Sequence, residues 1–555
     1  MSKEAMDNSL CNLLLNNEKE LASRVYLRQP RNGVWREYTW AEVMLQARKV
    51  AAFLHGLGLK KGSHISIISK NCAEWFIADF GIHLAGMVNV PLFTNQHEES
   101  IQYVLEHGDV ALVFIGKLDD HQLVRHYIPE HYVTIGFDYH DDLQVNYSWS
   151  EVLATEPFKN VIKPAAGDLY TIIYTSGTMG VPKGAMYTNQ AIANYLTILP
   201  QDMIRIIDAP FYKLVSYLPL AHIYERSAVQ LASIVLPSNV SFIDSLSHFA
   251  QNLQEIQPTL FTAVPKIWSV FQQNIEKKIP PTTLNFVLKI PFLSRLIKNK
   301  IINSLGFKEC TNFVSGASPL PYSIMEFFDK LGIKIQEGYG QTENLAYATL
   351  SMLNDRRYGY VGTPRLEVDI KIGEDSELLL NSPCLMSGYY KEKQATKGAF
   401  THEGWLRTGD IVEIDAQDRV KILARISESY KNQTGEFVAP SPIEHQFEAN
   451  DMIDQICLVG RGLPSNILLV TLNEQARSNI KKDEINKSLE ENLRQVNSGL
   501  VKYEKISHII VVKDEWTPTN DLLTPTLKIK RRTVEQYYAD LIQSALKQSN
   551  RVIWE

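Results

Sequence analysis

The first third of the chain alternates between two hydrophobic periods, and this alternation constrains the fold more than any other feature. "TWAEVMLQARKVAAFLHGLG" spaces its apolar residues as an amphipathic helix does and ends in glycine. "KKGSHISIIS" follows as a turn and a strand. "NCAEWFIADFGIHLAGMVNVPL" reads as a helix running into a buried strand, and "YVLEHGDVALVFIG" repeats the theme. Such succession predicts α/β layers around a largely parallel sheet. Gly56, Gly58 and Gly62 imitate a dinucleotide fingerprint, but a helix precedes them and a strand follows. That motif needs the opposite order, so they read as a helix C-cap and turn.

A chain of 555 residues exceeds one compact core, so two or more domains are expected. From about 359 to 425 the texture becomes short alternating strands with tight turns, which predicts a small barrel or antiparallel sheet. After Arg425 a polar stretch leads to "MIDQICLVG", "ILLVTL" and "HIIVV", three strand-like runs of a small α+β unit. The boundary is expected between 424 and 431. The net charge of −6, with both signs interspersed, argues against a nucleic-acid partner. The five cysteines are scattered without a CxxC pair, which points to no zinc site, no disulfide framework and a reducing compartment. No secretory pattern opens the sequence and no apolar run reaches the length of a membrane span. A cytoplasmic location is therefore expected.

Five stretches carry chemistry. "YTSGTMGVPKGAM" offers Ser176, Thr178 and Lys183 as donors, with Gly177, Gly180 and Gly184 allowing the chain to curl as a phosphate cradle does. It lacks the Walker spacing, and an unliganded glycine-rich loop would look the same. "FVSGASPLPYSIMEFF" and "IKIQEGYGQTE" each read as a strand ending in a glycine turn, where ligands of α/β proteins gather. Tyr339 offers an aromatic face, and Thr342 and Glu343 offer oxygens suited to phosphate and a hard cation. Glu343 alone reads equally as a solvated loop carboxylate. Asp410 in "EGWLRTGD" suits two ribose hydroxyls, or is an ordinary turn aspartate. Lys528 in "LLTPTLKIKRR" lies between apolar neighbours, or belongs to a surface basic cluster.

The order of these stretches, together with "LPLAHIYER" and "TGEFVAPSPIE", resembles the adenylate-forming superfamily over nearly the whole chain. "FTAVPKIW", "VAPSPIE" and "LLTPTLKIKRR" are most similar to its long-chain fatty acyl-CoA synthetases. The resemblance implies a large N-terminal domain over 1–424, made of two α/β lobes and a small barrel-like lobe from about 346. It implies a small mobile α+β lid over 425–555, hinged near Ser427. It implies that ATP and a fatty acid give acyl-AMP and pyrophosphate, and that CoA then displaces AMP, with Mg²⁺ as cofactor.

By the same resemblance, Thr175, Ser176, Gly177, Thr178, Gly180 and Lys183 hold the β- and γ-phosphates. Gly316, Ala317, Ser318, Glu337, Gly338, Tyr339 and Gly340 border the adenine. Thr342 contacts phosphate, Glu343 binds Mg²⁺ with Thr175, and Asp410 and Arg425 hold the ribose. Lys528 bridges the α-phosphate and the acid, His222 flanks the acyl carbonyl, and Lys431 is a second catalytic lysine. Trp268 matches a tunnel or gate aromatic, or is a plain core residue. Alternatives are a ligase that delivers acyl-AMP to a carrier protein and a lipid-binding pseudoenzyme.

Three positions depart from the pattern: Ser427 replaces the usual Lys or Asp, Ala424 the usual Gly or Asp, and Met179 the usual Thr or Ser. Met179 removes one loop hydroxyl, so weakened ATP binding relative to Met179→Thr is expected. Glu343, Asp410 and Lys528 are all retained, which favours an active enzyme. The segment 285–305 mixes apolar residues with Lys289, Arg295, Lys298 and Lys300 and no acid. It suits a basic amphipathic helix on an anionic membrane, or a surface helix with solvated charges.

Overall fold

The computed structural model describes residues 9–159, 161–175, 182–207, 209–447, 450–524 and 527–555. The alternating segments become an eight-stranded sheet in the order Gly388–Tyr389, Lys183–Thr188, Leu169–Thr175, Val88–Asn89, His64–Ile68, Val110–Ile115, Val133–Gly136, Tyr147–Ser148. From Leu169–Thr175 onward the strands are parallel, while Lys183–Thr188 returns antiparallel. A second sheet runs Leu260–Ala263, Asn312–Ser315, Ile335–Tyr339 in parallel. A third joins Tyr212–Ser216, Ser238–Phe242, Val25–Arg31 and Val34–Thr39. The glycines at 56, 58 and 62 lie at the end of the helix Trp40–Gly56 and in the turn after it.

The lobe expected from about 346 starts its own sheet only at Asp369. Before it, the strand Thr349–Leu350 pairs antiparallel with Gly338 and Tyr339 of the second sheet, and Thr363–Pro364 pairs in turn with Thr349–Leu350. The lobe itself is a four-stranded antiparallel sheet of Asp369–Ile372, Glu377–Asn381, Leu406–Ile414 and Val420–Arg425. The small domain carries a sheet of Ile453–Val459, Asn466–Leu472, Ile506–Val511 and Val552–Trp554. Its last strand has only three residues and escapes sequence periodicity. Lys266 Nζ meets Asp454 Oδ1 at 2.5 Å, and His97 Nε2 lies 3.9 Å from Asp521 Oδ1, so the small domain rests on the large one. The segment 285–305 is not one helix. It ends one helix, Pro281–Leu288, and begins another, Pro291–Ser304. Pro291 has no N–H to continue the first and is suited to start the second.

The helix Ala73–Leu84 is buried on every side, which an apolar helix in the centre of a large protein tolerates. Its one central acid, Asp79, is paired with equally buried Arg226 at 3.1 Å. Tyr170 Oη, Gln230 Nε2 and Asn89 Nδ2 also donate to this carboxylate, at 3.0, 2.8 and 2.5 Å. The network ties the central helix to two strands of the main sheet and to the segment that follows His222.

Candidate active site

The candidate residues gather where the strands Asn312–Ser315 and Ile335–Tyr339 end, beside the lobe and under one loop of the small domain. Asp410 lies opposite Arg425 in the lobe's last strand pair, with Arg425 Nε 3.7 Å from Asp410 Oδ1. Gly409 does not form the turn that the sequence suggests: it lies inside the strand Leu406–Ile414, where its φ of +69° accompanies a shift in the pairing with Glu377–Asn381. Tyr339 Oη donates to Asp410 Oδ2 at 2.6 Å, and Gln341 Nε2 donates to the same oxygen at 2.7 Å. These bonds fix the Tyr339 ring and leave Asp410 Oδ1 toward Arg425. Gly340 is required by space, since a Cβ there would stand 2.4 Å from the backbone carbon of Ala346.

Glu343 is held by Tyr389, whose hydroxyl donates to Oε1 at 2.7 Å. Lys183 Nζ lies over the Tyr389 ring, 5.4 Å from its centroid. The intervening turn is set by Tyr187, whose hydroxyl donates to the Thr342 carbonyl and accepts from Leu345 N–H at 2.7 Å. Thr175 pairs with Lys183 across the strands, and its Oγ1 donates to the Lys183 carbonyl at 3.4 Å. Ser176, Gly177, Thr178, Met179 and Gly180 lie outside the described residues.

Gly316 donates its N–H to the Ala263 carbonyl at 3.1 Å, and Ala317 holds a left-handed φ of +70°. Such a conformation costs a non-glycine residue about 1–2 kcal/mol. Ser318 is exposed, and Gly338 pairs with Leu350. Glu337 is buried beneath the turn, with Oε1 accepting from Leu320 N–H at 3.2 Å and Oε2 without a partner among the described residues. Burial pushes its carboxyl up to about 7, opposed by the Leu320 N–H and by the charges of His445 and Arg356.

His222 Nδ1 accepts the Tyr224 N–H at 3.2 Å, which leaves the ring proton on Nε2. Burial, and then the charge of Lys528, push its pKa down to about 3. The ring is therefore a neutral N–H donor near pH 7. Lys528 comes from a small-domain turn closed by Thr524 N–H to the Lys528 carbonyl at 2.7 Å and Lys528 N–H to Thr524 Oγ1 at 3.0 Å. Burial and the Arg425 charge lower the pKa of its ammonium, while Glu428, Asp410 and Glu343 oppose them. Lys528 is thus within electrostatic reach of the large-domain candidates.

Two candidates stand elsewhere. Trp268 is fully buried among Phe261, Phe328 and other rings, its centroid 5.5 and 5.2 Å from those two, and its N–H has no partner among the described residues. Lys431 is exposed on the hairpin of Tyr430–Lys431 and Phe437–Val438. Gln341, Tyr389, Tyr187 and Glu428 are absent from the sequence-derived set. Gln341 lies inside "GYGQTE", but nothing local in the sequence distinguishes any of the four.

Beside His222, the buried Glu225 accepts from Ser216 Oγ at 2.7 Å, Tyr217 N–H at 3.0 Å and Asn71 Nδ2 at 3.2 Å, all on Oε1. Burial raises its pKa from 4.5 to about 8 against those bonds. The folded state therefore holds an extra proton between these values, and stability falls as pH rises through them. Glu225→Gln keeps the acceptor and carries no titrating proton. Urea melts are expected to show the variant gaining on the wild type by roughly 2–4 kcal/mol between pH 5 and 8. A constant difference across that range would remove the buried proton.

The family model described as AMP-binding enzyme matches residues 17–390, and that described as AMP-binding enzyme C-terminal domain matches 431–550. A long-chain-fatty-acid–CoA ligase of Mycobacterium bovis is 26% identical over 96% of this chain and 96% of its own. Human long-chain-fatty-acid–CoA ligase 1 is 26% identical over 92% of this chain and 82% of its own. The solved adenylation domain of a carboxylate reductase from Mycobacterium chelonae superposes with a TM-score of 0.80 at 22% identity, over 97% of this chain and 91% of that one. The corresponding domain from Segniliparus rugosus, in complex with AMP and a co-purified carboxylic acid, gives 0.80 at 20% identity, over 98% and 95%. With matched models on both the large and the small domain, this chain belongs to the AMP-binding enzyme family.

Proposed function

We propose that this protein activates a long-chain fatty acid with ATP and transfers the acyl group to CoA. The observation that carries the reading is the cluster of Tyr339, Asp410 and Arg425 with Glu343 held by Tyr389 nearby, a cluster whose charges act on Lys528 of the small domain. The names of the curated relatives support the substrate class.

In the first step a carboxylate oxygen attacks the α-phosphorus of ATP. The bond to the β-phosphate oxygen breaks, and acyl-AMP and pyrophosphate form. Two anions must approach, so preorganised cations lower the barrier. Lys528 is assigned to the α-phosphate and the acid, Lys183 and the loop from Thr175 to the outer phosphates, and Thr342 to a phosphate oxygen. Tyr339 takes the adenine, bordered by Gly316–Ser318, Glu337, Gly338 and Gly340, while Asp410 and Arg425 take the ribose. His222 Nε2–H is assigned to the acyl carbonyl.

Glu343 fits Mg²⁺, which binds through one or two carboxylates plus substrate phosphates and needs no protein cage. Among the described residues no cluster of three metal-binding side chains exists, which suits that mode. When bound, Mg²⁺ neutralises phosphate charge facing the acid. Tyr389 orients Glu343 for it. Tyr389→Phe is expected to raise the Mg²⁺ concentration for half-maximal activity about tenfold and leave the fatty acid KM within about twofold. An unchanged Mg²⁺ dependence would remove Tyr389 from this role.

In the second step the CoA sulfur attacks the acyl carbonyl and AMP leaves. Lys528 must then withdraw, and the 425–555 domain is proposed to turn about Ser427 and bring Lys431 and Gly435 to the site. Ser427 lies in the turn between the strands Val420–Arg425 and Tyr430–Lys431. Trp268, fully buried among Phe261 and Phe328, takes the plain core reading.

The test supplies ATP, Mg²⁺, CoA and acids from acetate to oleate, and follows nucleotides and thioesters by mass spectrometry. Acyl-CoA and AMP are expected in equal amounts and to increase toward the long acids. ADP as product, or acyl-AMP without thioester, would overturn the reading.

A further inference from the structure

The two helices Pro281–Leu288 and Pro291–Ser304 present an unusual outer surface. They are anchored inward by Leu284, Ser294 and Ile301. The outward side of such helices is ordinarily polar. Here it exposes Phe286, Phe292, Leu293 and Leu296 to 66, 73, 41 and 53%. Lys289, Arg295 and Lys300 are exposed among them. No acid occurs between Glu276 and Glu309, although the chain as a whole carries −6. Among the described residues, Lys289, Arg295 and Lys300 form no ion pair.

Exposed aromatic and aliphatic side chains favour an apolar phase, and unpaired cations favour negative charge. An anionic bilayer supplies both in one plane, with phosphates above acyl chains. No helix among the described residues is long and apolar enough to cross a membrane, so contact would be in the interface plane. We infer that these two helices form a docking surface for an anionic lipid bilayer. Phe286, Phe292, Leu293 and Leu296 enter the boundary of headgroups and acyl chains, and Lys289, Arg295 and Lys300 meet lipid phosphates. The inference stands on this surface alone and does not depend on the proposed reaction.

Flotation with vesicles of phosphatidylcholine, with and without phosphatidylglycerol, tests it on the full chain. The wild type is expected to float with the anionic vesicles, to stay behind with the neutral ones, and to release as salt is raised. Lys289→Glu/Arg295→Glu/Lys300→Glu is expected to weaken partitioning at least about tenfold. Phe286→Ser/Phe292→Ser/Leu296→Ser, with every charge intact, is expected to do the same. Circular dichroism melts matching the wild type establish that both variants fold, and versions with Gln at the three basic positions or Ala at the three apolar ones replace either one that does not. A wild type that never floats, or variants that float as it does, would overturn the proposal. So would a dimer abolished by the serine variant without vesicle binding, because the surface would then belong to a second copy.

Discussion

Lys528→Ala is expected to lower fatty-acid-dependent formation of acyl-AMP about 10²–10³-fold, the size of effect seen when one preorganised charge is removed from a transition state. Lys528 is a small-domain cation whose charge acts on Arg425, Asp410, Glu343 and His222. Its removal takes away positive charge at the point where carboxylate and phosphate approach. Thioester formation from supplied acyl-AMP should persist within about threefold, because that step is assigned to the turned-away arrangement. Loss of both steps together would show that Lys528 serves the fold of the site rather than adenylation. The pKa of His222 should also rise in the variant, since the Lys528 charge helps to hold it near 3.

Asp79→Ala is expected to destabilise the large domain by about 3–5 kcal/mol, the cost of leaving a buried charge unpaired. Arg226 is 1% exposed, and its Nε and Nη1 have no partners among the described residues, so Asp79 and Tyr170 neutralise or bind what remains. Tyr170, Gln230 and Asn89 would lose their acceptor as well. Asp79→Ala/Arg226→Met removes both charges and should recover a large part of the loss, which separates charge imbalance from lost packing. The measurement is the urea midpoint of the large-domain transition. Equal destabilisation of the single and double variants would show that the ion pair is not what the helix depends on.

Much of this architecture is legible in the sequence, because its signals are local. The helix–strand alternation of the first third foretells the parallel sheet, and "SGASPL" and "GYGQTE" each fall at a strand end, whereas "LRTGD" lies within the strand Leu406–Ile414. Pro291 is itself the written break between the two basic helices, yet an amphipathic reading of 285–305 runs through it. The strands Thr349–Leu350 and Thr363–Pro364 are too short to show a period, and only pairing makes them strands, the first to Gly338 and Tyr339 and the second to the first. The site is less legible than the fold for the same reason. Tyr389 finds Glu343 from 46 positions away, Gln341 finds Asp410 from 69, and Tyr187 finds Leu345 from 158. Asp79 looks like a stray acid in an apolar helix until Arg226 is folded against it, 147 positions on. The role proposed for Lys528 comes from resemblance in the sequence, and its neighbours Arg425, Asp410 and Glu343 emerge only when the small domain is seated.

Acid-dependent exchange of labelled pyrophosphate into ATP tests the central claim most directly, because it requires the acid, the phosphates and both domains in one arrangement and requires no CoA. With Mg²⁺ present, oleate is expected to drive exchange at least about tenfold faster than acetate, in line with the transfer free energy of its added buried methylenes. The absence of exchange with every carboxylate from acetate to oleate would contradict the account.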